Sequence, residues 1–342
     1  MMQKKVRVGI IGCGGIGIGI HLLALREIEL CELAWTCDII EERAKDAAEQ
    51  FGAPKYGTLY KELLKEDKPD AVFVLVQPEQ AFRISYDCMM AGCHVFVEKP
   101  FGITSYQSET LLRTAKQQGV QCQIGFNRRF IPLITEIKKR LETLGPIHQI
   151  DGWFYKNGDA AFYDGCSSAF TCDVIHVIDL VRHLAGGDAV KTFQVASRFG
   201  ESPVNNSWNS LIAFDNGVVG VIHSNYESGG RVHGFTIHTS EAAIFINIGF
   251  GGAACEATIL YSSGKTFSLA SQGAPILSEE KLDGLSIADS DRYEWYYGYG
   301  AEDTAFLEAI ANGETVPCCA EDALKTMKLL DMMRNSEYEN VR

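Results

Sequence analysis

Through the first 125 positions, short apolar runs alternate with longer stretches of helical periodicity. The runs predict strands near 5–11, 32–37, 70–76, 93–97 and 121–125, and the stretches between them predict helices near 15–27, 40–51, 58–66, 79–91 and 104–118. Ala71-Val72-Phe73-Val74-Leu75-Val76 is apolar throughout, as a strand covered by helices on both faces must be. Strand–helix alternation with short connections predicts a doubly wound parallel sheet, with ligands at the carboxyl ends of the strands.

The rhythm changes after Gly125. A helix is predicted over 131–144, stopped by Gly145-Pro146, then a strand over 147–156 and a helix over 172–185. From about 189 to 270 strand patterns dominate, with Asp215-Asn216-Gly217 reading as a hairpin turn. Two closing helices fit 301–312 and 320–334. The whole is an α/β chain: a doubly wound domain over 1–125, and an α+β domain over 126–342 with an open, largely antiparallel sheet.

Chemistry enters at the end of the first strand, with Gly12-Cys13-Gly14-Gly15-Ile16-Gly17. Gly12 lets the chain turn out of the strand. Gly14 lets backbone approach a pyrophosphate, and Gly17 lets the helix pack on the sheet. Phosphates then rest on unpaired N–H groups at the helix N-terminus, around Gly14, Gly15 and Ile16. Asp38 follows Gly17 by 21 positions, near the roughly 20 expected of the carboxylate that grips the adenosine ribose. Its charge favours NAD over NADP, although Arg43 nearby leaves NADP open.

Composition narrows the field. The chain has 342 residues, 46% of them hydrophobic, and a formal net charge of −13. That charge argues against nucleic acid or an anionic membrane surface as partner. The 11 cysteines are irregularly spaced, and Cys13, Cys37, Cys88 and Cys93 fall in apolar stretches, as reduced buried thiols do. No zinc set emerges. Arg7 interrupts the apolar segment behind Lys4-Lys5, and no uninterrupted membrane-length apolar run occurs. A soluble cytoplasmic protein is expected.

Two further places could carry a reaction. Glu98-Lys99-Pro100 closes the fifth strand. Pro100 biases Lys99 towards extended backbone, its peptide bond is a candidate for cis, and a lysine there can stabilise a growing alkoxide. In Cys172-Asp173-Val174-Ile175-His176-Val177-Ile178-Asp179, helical spacing puts His176 on one face with Cys172, Asp173 and Asp179. A histidine steered by a carboxylate makes a proton acceptor near neutral pH. Taken singly, Lys99 reads equally as a solvated strand end, and His176 as a locally satisfied helix residue.

Together with His21, Gly125-Phe126-Asn127-Arg128-Arg129-Phe130 and the closing helices, these segments resemble the Gfo/Idh/MocA oxidoreductase family. The resemblance implies an N-terminal Rossmann domain and a C-terminal domain whose open sheet carries substrate on one face and an oligomer contact on the other, as a homodimer or homotetramer. It implies Lys99 and His176 as the catalytic pair. Cofactor contacts would include Gln77, Glu98, Lys99 and Asn127 besides the glycine motif and Asp38; substrate contacts would be Lys99, Tyr163, Asp173 and His176.

This sequence departs from the family where an aspartate usually stands four residues before the histidine. Here that place holds Cys172, and Asp173 can reach the imidazole from three residues back. The segment Gln77-Pro78-Glu79-Gln80-Ala81-Phe82 lacks a customary histidine, and 157–171 lacks a common Gly-Gly pair, offering Asn157, Asp159, Tyr163 and Asp164 instead. The resulting expectation is an NAD(P)-dependent oxidoreductase acting on a secondary alcohol of a sugar, cyclitol or related polyol. Two alternatives keep the cofactor: an NAD-assisted redox-neutral glycosidase, and a sensor without turnover.

Overall fold

The computed structural model describes residues 4–162, 167–249, 254–262 and 276–340. The chain forms two compact units. The first takes residues up to 130 together with 292–327, and the second takes 131–291 together with the stretch from 328 onward.

In the first unit the elements run β1 (Val6–Ile11), a π-helical turn (Gly17–His21) leading into α1 (Leu22–Leu25), β2 (Cys31–Cys37), α2 (Glu41–Phe51), β3 (Tyr56–Gly57), α3 (Tyr60–Glu66), β4 (Ala71–Val74), α4 (Pro78–Met90), β5 (His94–Glu98), α5 (Ser105–Gln118) and β6 (Cys122–Gly125). The strands form one parallel sheet in the order β3-β2-β1-β4-β5-β6. Every residue of β4 is buried, which is why the run carries no polar side chain. Strand order reverses between β1 and β4, so Gly12 and Leu75 meet at the switch point where such sheets bind ligands. Only the two-residue β3 was absent from the expected strands.

The second unit begins with α6 (Pro132–Leu141), β7 (Ile147–Asn157), the short pair β8 (Ala161–Phe162) and β9 (Ser167–Ser168), and a π-helical turn (Phe170–Val174) running into α7 (Ile175–Ala185). There follow β10 (Ala189–Ser197), β11 (Ser207–Phe214), β12 (Val219–Asn225), β13 (Glu227–Thr239), β14 (Ala242–Ile248), β15 (Cys255–Ser262), β16 (Ile276–Asp283) and α8 (Gly284–Ala288). The chain then supplies α9 (Tyr293–Tyr296), α10 (Tyr299–Asn312) and the start of α11 (Ala320–Asn335) to the first unit, and β17 (Glu337–Asn340) to the second. The expected strand pattern over 250–253 and 263–270 lies outside the described residues.

The second unit's sheet has nine strands, ordered β16-β15-β14-β13-β7-β12-β11-β10-β17. It is mostly antiparallel; β12 with β7 and β10 with β17 are the parallel pairs. Phe214 N donates to Val218 O at 3.0 Å, closing the Asp215-Asn216-Gly217 turn between β11 and β12. Helix α7 lies close on β7: a Cβ at Gly152 would come 2.6 Å from Val177 Cγ2, so only glycine allows that approach. The other face leaves apolar side chains in the open. Phe193 pairs with Leu211 across β10 and β11, and they are 55% and 51% exposed.

The first unit's core joins Val8, Ile10, Leu22, Leu25, Phe73 and Phe96 to Phe306 and Leu307 of α10. Phe73 stacks on Phe96 with centroids 4.6 Å apart, and Phe306 meets both edge-on. This distant helix is therefore an integral layer of the sheet domain. Among the described residues no helix is long and apolar enough to cross a membrane.

Candidate active site

The glycine turn has the shape a dinucleotide requires. Gly12 sits at φ +102°, and a Cβ there would lie 2.3 Å from Leu75 O. A Cβ at Gly17 would lie 2.3 Å from Gly12 O, so these two glycines make the turn itself. At Gly14 and Gly15 a side chain would meet nothing within 4 Å. Packing does not demand glycine at either place, and the bare backbone leaves room for a phosphate to come close. Ile16, next along, is exposed.

Asp38 closes the other side of this cradle. Cys13 N donates to its Oδ2 at 2.8 Å and Ile40 N to its Oδ1 at 2.9 Å. The carboxylate is thus fixed to the glycine loop and to the segment beyond β2 at once. Burial, aided by the Asp38 charge, pushes the thiols of Cys13 and Cys37 up to about 12. They stay neutral and leave Asp38 as the local negative group. Both are unbridged, as are Cys88 and Cys93. These residues fit an NAD-type cofactor.

Gln77 immediately precedes α4, whose first residue is Pro78. Lys99 directly follows β5, with a cis bond to Pro100. Lys99 N donates to Glu98 Oε2 at 3.2 Å. Glu98 Oε1 in turn lies 3.1 Å from His21 Nε2, and His21 Nδ1 lies 2.9 and 3.0 Å from the two oxygens of Asp303. Burial works to lower the His21 pKa, but Asp303 and Glu98 outweigh it and push it up to about 10. Both ring nitrogens of His21 thus face carboxyl groups that favour its charged form. Burial also raises Asp303, against the pull of His21, and holds its neighbour Glu302 well above the usual carboxylate range. The carboxyl oxygens of Glu302 are buried and have no hydrogen-bond partner among the described residues. Asn127 is buried, and its amide donates to Tyr297 O at 2.9 Å, tying the chain after β6 to the segment before α10.

In the second unit, His176 is the second residue of α7 and is buried. Asp173 lies in the π-helical turn just before it. Its Oδ2 accepts from Tyr226 Oη at 2.5 Å and takes a close ion pair from Lys156. Lys156 Nζ also sits 4.5 Å from the centroid of the Tyr226 ring. Cys172 donates from Sγ to Ser167 Oγ at 3.0 Å, and Arg334 bonds Thr171, so the two residues before Asp173 help to pin the turn. Lys156 opens onto a cavity of about 570 Å³ lined also by Asn157, Gly158, Asp159, Phe162, Gly229, Gly230 and Arg231. Tyr163 lies outside the described residues.

Lys156, Tyr226, Glu302 and Asp303 are among the participants not singled out from the sequence. Lys156 and Tyr226 lie on or beside strands that show only β alternation. Glu302 and Asp303 carried a usable signal: two adjacent acids on the buried side of an apolar helix, where charge needs a partner.

Two family models match the chain: an oxidoreductase family with an NAD-binding Rossmann fold over residues 6–126, and the GFO/IDH/MocA C-terminal domain over 135–245. The scyllo-inositol 2-dehydrogenase (NAD(+)) of Bacillus subtilis is 24% identical over 326 residues, 92% of this chain and 89% of that protein. Among solved structures, a levoglucosan dehydrogenase in complex with NADH and levoglucosan superposes with a TM-score of 0.81 at 22% identity, covering 97% of each chain. The UDP-N-acetylglucosamine 3-dehydrogenase GnnA of Acidithiobacillus ferrooxidans gives 0.81 at 20% identity, again over 97% of each. With the glycine cradle, the anchored Asp38 and both domain models in register along the chain, this protein belongs to the Gfo/Idh/MocA family of NAD(P)-dependent oxidoreductases.

Proposed function

We propose that this enzyme oxidises a secondary alcohol of a sugar, cyclitol or related polyol, with NAD preferred to NADP. The observation that carries the cofactor preference is Asp38, whose two oxygens are held by two backbone amides at the lip of the glycine turn. A carboxylate fixed there accepts ribose hydroxyls and repels a 2′-phosphate. In this reading residues 1–125 hold the cofactor and 126–342 supply substrate contacts. The unbridged, buried cysteines suit a reducing, cytoplasmic setting.

A bound nicotinamide supplies the hydride acceptor. The chain's own residues do the rest. Lys99, at the end of β5, binds the reacting hydroxyl and stabilises negative charge on its oxygen. His176 takes the hydroxyl proton. Asp173 holds Lys156 at the cavity and stiffens the turn that leads to the histidine. The cavity is within the size range of small-molecule sites. Its amide, carboxylate and cationic lining offers both donors and acceptors to a polyhydroxylated ligand, and Tyr163 follows its wall residue Phe162. Asn127 acts by tying the end of β6 to Tyr297.

A panel of sugars and inositols, run with NAD and with NADP and followed by reduced-nicotinamide absorbance, tests this reading. One NADH per ketone formed is expected. Bond cleavage in a substrate without accumulation of NADH would replace it with redox-neutral chemistry. A self-contact through the exposed sheet face at Phe193, Leu211 and Phe245 belongs to the same proposal. Sedimentation should show a dimer or tetramer that Phe193→Asp dissociates.

A further inference from the structure

We infer that His21 and Asp303 form a buried positioning pair that fixes, through Glu98, the backbone on which Lys99 is mounted. The inference rests on the proposed role of Lys99 as the group that binds the reacting oxygen. It extends that role to residues from the first and tenth helical segments, which touch neither cofactor nor substrate in that reading.

The chain of contacts is continuous from Asp303 to the amide of Lys99. Asp303 takes His21 Nδ1 with both oxygens, at 2.9 and 3.0 Å. The ring's other nitrogen meets Glu98 Oε1 at 3.1 Å, and the second oxygen of Glu98 accepts from Lys99 N at 3.2 Å. Behind Glu98, a Cβ at Gly125 would stand 3.0 Å from Oε1 and 3.1 Å from Cδ. The carboxylate is therefore wedged between β6 and the imidazole. With both oxygens engaged and its back covered, Glu98 has little room for a second orientation.

Stability alone does not call for this arrangement. His21 lies among Phe73, Phe96 and Tyr299, with ring centroids 6.0, 5.2 and 5.6 Å away, a setting that would accept an apolar side chain. Replacing a buried ion pair by well-packed apolar groups is often neutral or stabilising. His21 and Asp303 are both fully buried, and Glu302 adds a further carboxyl beside them. What the ionic chain provides, and apolar packing cannot, is a directional constraint ending on the amide of Lys99. Small displacements of a group that orients substrate can cost about 10²-fold in rate.

The test reads Lys99 directly. Lysines of the NAD-loaded protein are dimethylated with ¹³C-formaldehyde, and the Lys99 resonance is assigned by its disappearance in Lys99→Arg. Asp303→Asn and His21→Asn are expected to move that resonance, and to lower kcat by roughly 10- to 100-fold while KM for the polyol changes little. Leu111→Ala, a core truncation in α5, serves as the control: it should lower Tm and leave the resonance in place. Should His21→Asn fail to fold, Glu98→Gln interrogates the same resonance with the buried pair intact. A Lys99 resonance unchanged in Asp303→Asn, with only Tm reduced, would overturn the inference and leave the pair a packing element. Because the resonance needs no substrate, failure of the polyol panel would count against the proposed reaction alone.

Discussion

Asp38→Asn separates the two jobs of this side chain, and its consequences can be worked out from the geometry. Asp38 presents one oxygen to Cys13 N and the other to Ile40 N. Asparagine has one carbonyl oxygen, so one amide must let go. Cys13 is buried and Ile40 is 43% exposed, so the surviving bond should be to Cys13 while water replaces the bond to Ile40. That exchange costs about 1 kcal/mol or less of fold stability. The cofactor effect is larger. A hydrogen bond to a charged partner contributes about 1.5–3 kcal/mol, so weakened contact with the ribose should raise the Kd for NAD by roughly 10- to 100-fold. In water, unit charges ~4 Å apart interact by about 1 kcal/mol. A 2′-phosphate carries about −1.5 to −2, so NADP should bind about 10- to 30-fold more tightly once the carboxylate charge is gone. The preference ratio should therefore move by about 10² to 3 × 10³. Calorimetric titration of both nucleotides into wild type and variant measures it. A ratio that moves less than about threefold, with Tm preserved, would show that Asp38 does not face the ribose.

His176→Ala should reduce turnover by about 10²–10⁴-fold and leave NAD affinity nearly unchanged; equal activity would remove the imidazole from proton transfer. Lys156→Met should raise KM for the polyol with little change in NAD affinity, because Lys156 lines the cavity; an unchanged KM would detach that cavity from substrate binding. Raised folded-state pKa values make stability fall as pH rises: for His21 the contribution is full below about 6.5 and is lost through about 10. Urea midpoints should therefore decline over that window in wild type, and decline less in His21→Asn. Glu302, whose raised pKa has the same sign, predicts that Glu302→Gln gains stability relative to wild type at alkaline pH. An identical pH dependence in variant and wild type would refute that assignment.

Much of the architecture was legible because it depends on period and punctuation. The buried parallel strands read as apolar runs, and the turn at Asp215-Asn216-Gly217 sits where Phe214 N bonds Val218 O. The return of α10 to the first unit was not legible as a layer of the cofactor domain. Periodicity identifies the helix, but that Phe306 completes a cluster with Phe73 and Phe96 is a fact about packing over more than two hundred residues of separation. Local rules contain no term for that.

The candidate site divides along the same line. Gly12, Asp38 and Glu98-Lys99-Pro100 are short-range signals, each tied to a strand end, and the structure supplies backbone partners for the Asp38 and Glu98 carboxylates. Asp173 shows where such reasoning stops. Helical spacing puts it on the face of His176; the turn over Phe170–Val174 is π-helical and takes about one more residue per turn than an α-helix, a widening the sequence does not announce. Two partners that engage its carboxylate, Lys156 and Tyr226, stand 17 and 53 positions away. A second π turn, Gly17–His21, ends on the histidine held by Asp303 and Glu98. Such turns, being costlier than regular helix, concentrate where a side chain must be aimed. In both units the widened turn delivers polar residues into an ionic network, fully buried at His21–Asp303 and part-buried at Asp173–Lys156, and in both the partners come from distant strands or helices. The histidines could therefore be found from sequence, while the charges that set their surroundings became visible only in the folded chain.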